Sequence, residues 1–306
     1  MLETLQNDSF NHFNHESPLW FTTEMRDLYS HESHPDLYGE FDTHRAGTYQ
    51  GVFRTDNDKC LGVFKDGSYT LVNNYQFYRG IEEQLINFFD PSVLDLCKIE
   101  DTSSWGGAVC IRQYLFPNLE REIVSDRHST SLTFRVIGWN CFDGSSKCRL
   151  IFGNIDSFCS NGLISGDYDQ SSKKRTSGFD LTNFVGQLEN GILKYEKDVS
   201  RYQTYAETKV LTPYVCEFFE TLSGMSERNA KRLQDQYLEE ASIRGNNLWA
   251  VVSTLTNYAS HTDGRFPVRN TGNDHHGVTS YNRQSKVNKW LNSPQFVRLQ
   301  NHSMAA

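Results

Sequence analysis

SLTFRVIGWNCFDGSSKCRLIFGNIDSFCSNGLISG, Ser131 to Gly166, is the stretch from which the fold is read. Apolar residues alternate with others from Leu132 to Trp139 and again from Lys147 to Ile155, and Asp143-Gly144 between them is turn chemistry, so a β-hairpin is predicted. Its register follows from keeping one face apolar, because a slip of one residue moves every side chain to the other side of the sheet. A two-residue turn would set Arg149 on the face of Phe134. A three-residue loop, Asp143-Gly144-Ser145, groups Leu132, Phe134 and Val136 with Cys148, Leu150 and Phe152, and leaves Arg135, Trp139, Lys147 and Arg149 on the opposite face. The second register is expected, with one greasy face and one basic, aromatic face.

Upstream, Trp105 to Phe116 reads as a strand with the same split: Val109, Ile111 and Leu115 share one face, Arg112, Tyr114 and Phe116 the other. Leu94 to Ile99 reads as a shorter strand. Asn73 and Asn74 open a helix through Phe77, Ile81 and Leu85 that Pro91 stops. Two short strands, around Tyr49 to Arg54 and Cys60 to Phe64, flank the turn Asp56-Asn57-Asp58. Downstream, Phe158 to Ile164 is expected to be a strand ending in a turn. The loop SSKKRTSG then carries three consecutive cations, Lys173, Lys174 and Arg175. Apolar residues recur every three or four positions from Leu181 to Ala206, predicting one long amphipathic helix over about Asp180 to Lys209. Shorter helices are expected from Thr212 to Leu222, from Ser226 to Arg244 and from Asn247 onward. Thr262 to Thr279 reads as loop, and a last helix carries Val287, Trp290 and Leu291. The fold class is α+β: a twisted antiparallel sheet, a β-meander, packed on a long helix, with a helical C-terminal subdomain.

The chain has 306 residues, 37% of them hydrophobic and 13% aromatic, enough for a sizeable core. No apolar run reaches the length of a membrane span and the N-terminus does not read as a secretory signal, so a cytoplasmic protein is expected. The seven cysteines, odd in number and without C-x-x-C spacing, read as reduced core residues. The net charge of −8 is unevenly placed: Met1 to Asp42 holds nine acids against Arg26, whereas the tail from Arg265 carries six bases against Asp274. Three regions are therefore drawn: an acidic, partly irregular arm (1–42), an α+β core (43–222) and a helical subdomain with a basic tail (223–306).

Little in the sequence speaks for catalysis. Phosphate-loop and dinucleotide fingerprints are absent, as is G-x-S-x-G. The paired carboxylates Glu82-Glu83 and Glu239-Glu240 are expected on solvated helix surfaces. The histidines of the arm, His12, His15, His31 and His34, lie in polar context that does not preorganise metal ligands. Asp274-His275-His276 is similar to a phosphoesterase triplet but stands in a late polar loop, so a metal-dependent hydrolase is a second alternative, with no cofactor expected. The better lead is the basic, aromatic composition of the sheet. Cations that track phosphates beside rings on which bases stack are how single strands are held. Arg112, Tyr114, Arg135, Trp139, Lys147 and Arg149, with Lys173, Lys174 and Arg175 at the rim, have that composition. Against it stand the ordinary wet face of an antiparallel sheet, or burial of Trp139 and Phe116 under the long helix.

RAGTYQGVFRTDNDKCLGVFKDGSYTLVNN (Arg45 to Asn74), FDGSSKCRLIFGNIDSFCSNGL (Phe142 to Leu163) and, more loosely, NNLWAVVSTLTNYASH together resemble the phage and plasmid-like family known as domain of unknown function 932. Asp143-Gly144-Ser145-Ser146, Arg149, Cys159 and Asn161 carry most of that resemblance; Trp139 to Phe142 depart from it. The resemblance implies a bacteriophage or other mobile-element context near DNA metabolism, and no established chemistry. The order helix, three-strand meander, long helix is also similar to the core of ring-forming annealing proteins, a likeness of topology alone. A non-enzymatic, phage-encoded protein binding or annealing single-stranded DNA in recombination or replication is therefore expected, with the acidic arm competing for its basic surface and a homo-oligomer as its form. The alternative is a virion or host-protein-binding interaction protein.

Overall fold

The computed structural model describes residues 17–33, 41–165, 172–261 and 276–304. Its centre is the expected meander, extended to a six-stranded antiparallel sheet in the order β4 (Lys98–Ser104), β5 (Val109–Val124), β6 (Ser129–Cys141), β7 (Cys148–Asp156) and β8 (Gly162–Ser165), with the short β9 (Ser172–Lys173) also pairing with β7. Trp139 stands opposite Arg149 and Val136 opposite Phe152, the register of a three-residue loop. The β4–β5 turn differs from expectation. Trp105, Gly106 and Gly107 all have positive φ, so the segment read as the start of a strand is a tight turn. Leu94, read as strand, ends a helical turn, α2 (Pro91–Leu94), and β4 begins at Lys98.

Ahead of this sheet stands a second, three-stranded one: β1 (Thr23–Ser33), β2 (Phe41–Arg54) and β3 (Cys60–Lys65). The arm expected to be irregular thus contributes an 11-residue strand, its polar residues held by backbone pairing with β2. The glycine of β3 lets it sit close on the β6–β7 turn: a Cβ at Gly62 would lie 2.5 Å from the Phe142 carbonyl oxygen.

Helix α1 (Asn74–Phe88) starts with a reciprocal cap, Asn73 Oδ1 accepting from Gln76 N–H at 2.9 Å while Gln76 Oε1 accepts from Asn73 N–H at 3.3 Å. The long helix is two pieces, α3 (Leu181–Val185) and α4 (Leu188–Glu207), separated at Gly186 and Gln187. Helices α1 and α4 cover the greasy face: Phe77, Tyr78, Ile81, Leu188, Ile192 and Tyr195 join Phe116, Phe134, Val136 and Phe152 in one core. Gly138 makes that approach possible, since a Cβ there would meet Ile81 Cδ1 at 2.6 Å.

The C-terminal part is helical, as expected: α5 (Thr212–Glu220), α6 (Glu227–Arg244) capped by Ser226, α7 (Leu248–Ser260) capped by Asn247, α8 (His276–Leu291) and α9 (Pro294–Met304). Their core runs from Tyr202 through Leu233, Val251 and Leu255 to Trp290 and Phe296. Helix α8 reaches back to the sheet. Val278 and Tyr281 pack with Val109, Ile111, Ile137, Trp139, Cys141 and Ile151, closing the face opposite to α1 and α4. Among the described residues no helix is long and apolar enough to cross a membrane. Of the cysteines, Cys97, Cys110, Cys141 and Cys148 are buried free thiols, while Cys60 is exposed.

Candidate anion-binding cleft

The expected nucleic-acid surface does not form as one face. Arg112 stands opposite Gly138 and Tyr114 opposite Val136, so both point to the α1 side, away from Arg135, Trp139 and Arg149. Both faces are also covered. Arg112 (1% exposed), Tyr114 (0%), Arg135 (3%), Trp139 (1%) and Arg175 (5%) are withdrawn from any strand that would lie on the sheet. Trp139 is covered by α8, with its ring 6.1 Å from that of Tyr281; the long helix instead covers Phe134, whose ring lies 4.4 Å from that of Tyr195. The physical reason is that a sheet sandwiched between helix layers puts arginine and tryptophan to structural use on both sides.

Each buried cation has a partner set. Arg112 Nη1 lies 3.0 Å from Glu82 Oε1 and Nη2 2.8 Å from Asp101 Oδ2, and its guanidinium sits over the Trp20 and Tyr78 rings. Tyr114 Oη donates to Glu82 Oε1 at 3.1 Å. Arg135 donates to Gln113 Oε1 at 2.8 Å and to Gln284 Oε1, bridging the sheet to α8; with no carboxylate in contact among the described residues, burial pulls its pKa down. Arg244 Nε bonds Glu240 Oε2 and its Nη2 bonds Asp156 Oδ2, each at 3.0 Å, tying α6 to β7. Glu82 and Glu240, read as surface carboxylates, are thus the buried anions of two arginine networks. The free thiol of Cys159 lies 3.6 Å from Arg244 Nη2, and among the described residues no group of three or more metal-ligating side chains occurs. Asp274, His275, His12, His15 and His34 lie outside the described residues.

The remaining predicted cations are better placed. Lys174 is exposed, and Lys147 and Arg149 are half-buried on the hairpin; Arg149 lies over the Trp139 ring at 4.7 Å and reaches Asn282 Oδ1 at 3.4 Å. Lys173 joins the sheet through its backbone opposite Cys148. Where the loop after β9 meets the β6–β7 turn and the end of β3, a cleft of about 170 Å³ opens, lined by Phe64, Tyr69, Ser146, Lys174, Arg175 and Thr176 among others.

Arg175 is the fixed point of this cleft. Its Nε donates to Cys148 Sγ at 2.9 Å and its Nη1 to Tyr69 Oη at 3.0 Å, and Tyr69 Oη in turn donates to the Cys141 carbonyl at 3.2 Å. Tyr69 stacks on Phe64 with centroids 3.8 Å apart. Burial raises the Tyr69 phenol to about 12, so it is a neutral donor at physiological pH. Arg175 Nη2 is buried and has no hydrogen-bond partner among the described residues. Among the described residues no carboxylate lines the cleft, so a buried guanidinium and an exposed ammonium stand without a counter-anion. Burying a charge is costly unless it is paired, and a cationic hollow of this kind is chemically suited to an anionic oxygen.

Sequence reasoning named Lys174 and Arg175 but missed Phe64, Tyr69 and Ser146. Phe64 and Tyr69 stand far from Ser146 in the sequence, and the fold brings them together at this cleft. Comparison of the chain with protein-family models, with curated proteins and with solved structures finds no match.

Proposed function

We propose that the protein binds single-stranded nucleic acid without turning it over, as a DNA-binding or annealing factor of a mobile element, through the hairpin end of the sheet. The observation that supports this reading is the cleft: a guanidinium held rigid by a thiol and a phenol, an exposed lysine beside it, two aromatic rings at its wall and no carboxylate lining among the described residues. Arginine forks and lysines recognise phosphate oxygens, and their contribution falls with salt as counterions return to the strand. Lys174 supplies the accessible charge, with Lys147 and Arg149 further along the same hairpin. Binding across the open sheet, by contrast, has no support from the burial of Tyr114 and Trp139.

The test is fluorescence anisotropy of single-stranded and duplex oligonucleotides over a salt series, with Lys174→Ala alongside. Single-strand binding is expected to weaken as salt rises, and the variant should reduce the log–log salt slope by about one. No binding at low salt would remove this reading. A protein-partner role is the second reading, favoured by Tyr49 and Val63, half-exposed on one side of the three-stranded sheet. Val63→Lys would then abolish a partner's binding and leave oligonucleotide binding unchanged.

A further inference from the structure

We infer that the Arg175 cleft recognises a phosphate monoester, the terminal phosphate of a strand or a mononucleotide, in preference to the diester of a strand interior. The inference deepens the single-strand reading by naming what part of the strand this site takes. Three observations carry it.

The first is charge. Arg175 and Lys174 present two positive charges with no lining carboxylate among the described residues, matching a monoester, which carries about −1.5 to −2 at neutral pH, better than a singly charged diester. Asp143, the acid of the neighbouring turn, does not line the cleft, and its Oδ1 accepts from Cys141 Sγ–H at 2.7 Å and from Ser145 N–H at 2.8 Å.

The second is size. About 170 Å³ is well below the roughly 300–1,000 Å³ of pockets that enclose a whole drug-sized ligand. It suits a phosphoryl group entering end-on. An internal phosphate, flanked by sugars on two sides, is bulkier than a terminal one and fits a small cleft with a buried guanidinium in its wall less well.

The third is donor geometry. Two of the three Arg175 nitrogens are tied to Cys148 Sγ and Tyr69 Oη, so the side chain is oriented, and Nη2 is the nitrogen left unpaired. That atom is out of contact with water, so engaging it takes a small opening of the cleft wall. Ser146 Oγ accepts from Trp139 Nε1 at 2.9 Å and its O–H faces the Cys141 thiol, from which it turns to donate to a ligand oxygen. Trp139, expected from the sequence to stack on a base, instead orients this hydroxyl.

The experiment compares one 3′-labelled oligonucleotide carrying a 5′-phosphate with the same oligonucleotide carrying a 5′-hydroxyl, by anisotropy. The phosphorylated strand is expected to bind about tenfold more tightly or better at neutral pH, the worth of one charge-assisted hydrogen bond. The ratio should shrink as pH falls through about 6, where the monoester takes up its second proton. Arg175→Lys, which keeps the charge and loses the fork, and Ser146→Ala should each lower the ratio, with thermal unfolding confirming that both variants are folded. Equal, measurable affinity for the two strands overturns the inference and leaves strand binding standing. Should neither strand bind, the strand-binding reading falls, and calorimetric titration with a nucleoside monophosphate and with inorganic phosphate decides the inference: saturable binding lost in Arg175→Lys sustains it for a mononucleotide, and no binding overturns it.

Discussion

Replacing Arg112 by methionine separates a covered sheet from an open one. Methionine keeps most of the length of the arginine stem, so the change removes the guanidinium with little loss of packing. In the structure that guanidinium makes three charge-assisted contacts, Nη1 to Glu82 Oε1 at 3.0 Å and Nε and Nη2 to the Asp101 carboxylate at 2.8 Å each. Removing one partner of a buried ion pair leaves an uncompensated charge and costs about 3–5 kcal/mol, against roughly 0.5 kcal/mol for a substitution on a solvated sheet face. Urea unfolding at neutral pH reads the difference directly. The pH dependence is a second check. Burial raises the Glu82 carboxyl above its ordinary value, and Arg112 is the chief group pulling it back down. Without Arg112 the folded-state pKa rises further, folding takes up a proton, and stability falls as pH climbs from the unfolded pKa through the folded one. The deficit of the variant should therefore be smaller near pH 5 than near pH 7, and adding Glu82→Gln should recover part of it. A loss below about 1 kcal/mol at neutral pH, with no pH dependence, would refute the buried network and return Arg112 to the surface.

Gly144→Ala should destabilise by about 1–3 kcal/mol, because φ is +71° there and the new Cβ would lie 2.9 Å from Phe64 Cε1; a melting temperature unchanged from the parent would contradict the turn geometry. With a thiol reagent at pH 8, Cys60 should react promptly in the folded protein, while Cys97 and Cys110, each pushed up to about 12 by burial, should react only on unfolding; labelling of Cys110 in the native state, read by peptide mass mapping, would oppose the core assignment. Phe296→Ala, at a fully buried ring between Tyr205 and Phe218, should cost about 3–5 kcal/mol in denaturant unfolding, and a near-neutral effect would mean that α9 does not dock as described.

The hairpin was legible because its evidence is local: alternation fixes the faces, and the three-residue turn fixes the register. The helix starts at Ser226 and Asn247 were legible for the same reason, each cap bonding to an amide three residues on. What the sequence hid depends on distant segments. Strand β1 has a polar composition and is made a strand by β2 beyond a connection, which no window of residues displays. The fate of Trp139 and Arg135 depends on α8, whose contact with the sheet rests on a sparse set, Val278, Tyr281 and Gln284, too thin to mark a covering helix. Arginine and tyrosine on a strand read alike whether solvent or a buried glutamate meets them, so Arg112 and Tyr114 looked like a binding surface until Glu82 was placed beside them. The cleft was invisible for a related reason: its walls come from β3, the β6–β7 turn and the segment after β9, three stretches that only the fold makes neighbours.

The closure of the sheet by α8 also sets an order of events during synthesis. Ile111, Ile137, Trp139 and Ile151 leave the ribosome long before Val278 and Tyr281, which cover them. At about 5–20 residues per second that interval is on the order of ten seconds, during which one side of the meander can be finished and the other stays greasy and bare. A chain truncated within residues 262–275 would carry that bare side permanently, and its fate would be capture by a chaperone or aggregation. Roughly the last tenth of the sequence thus supplies the cover that ends this exposure.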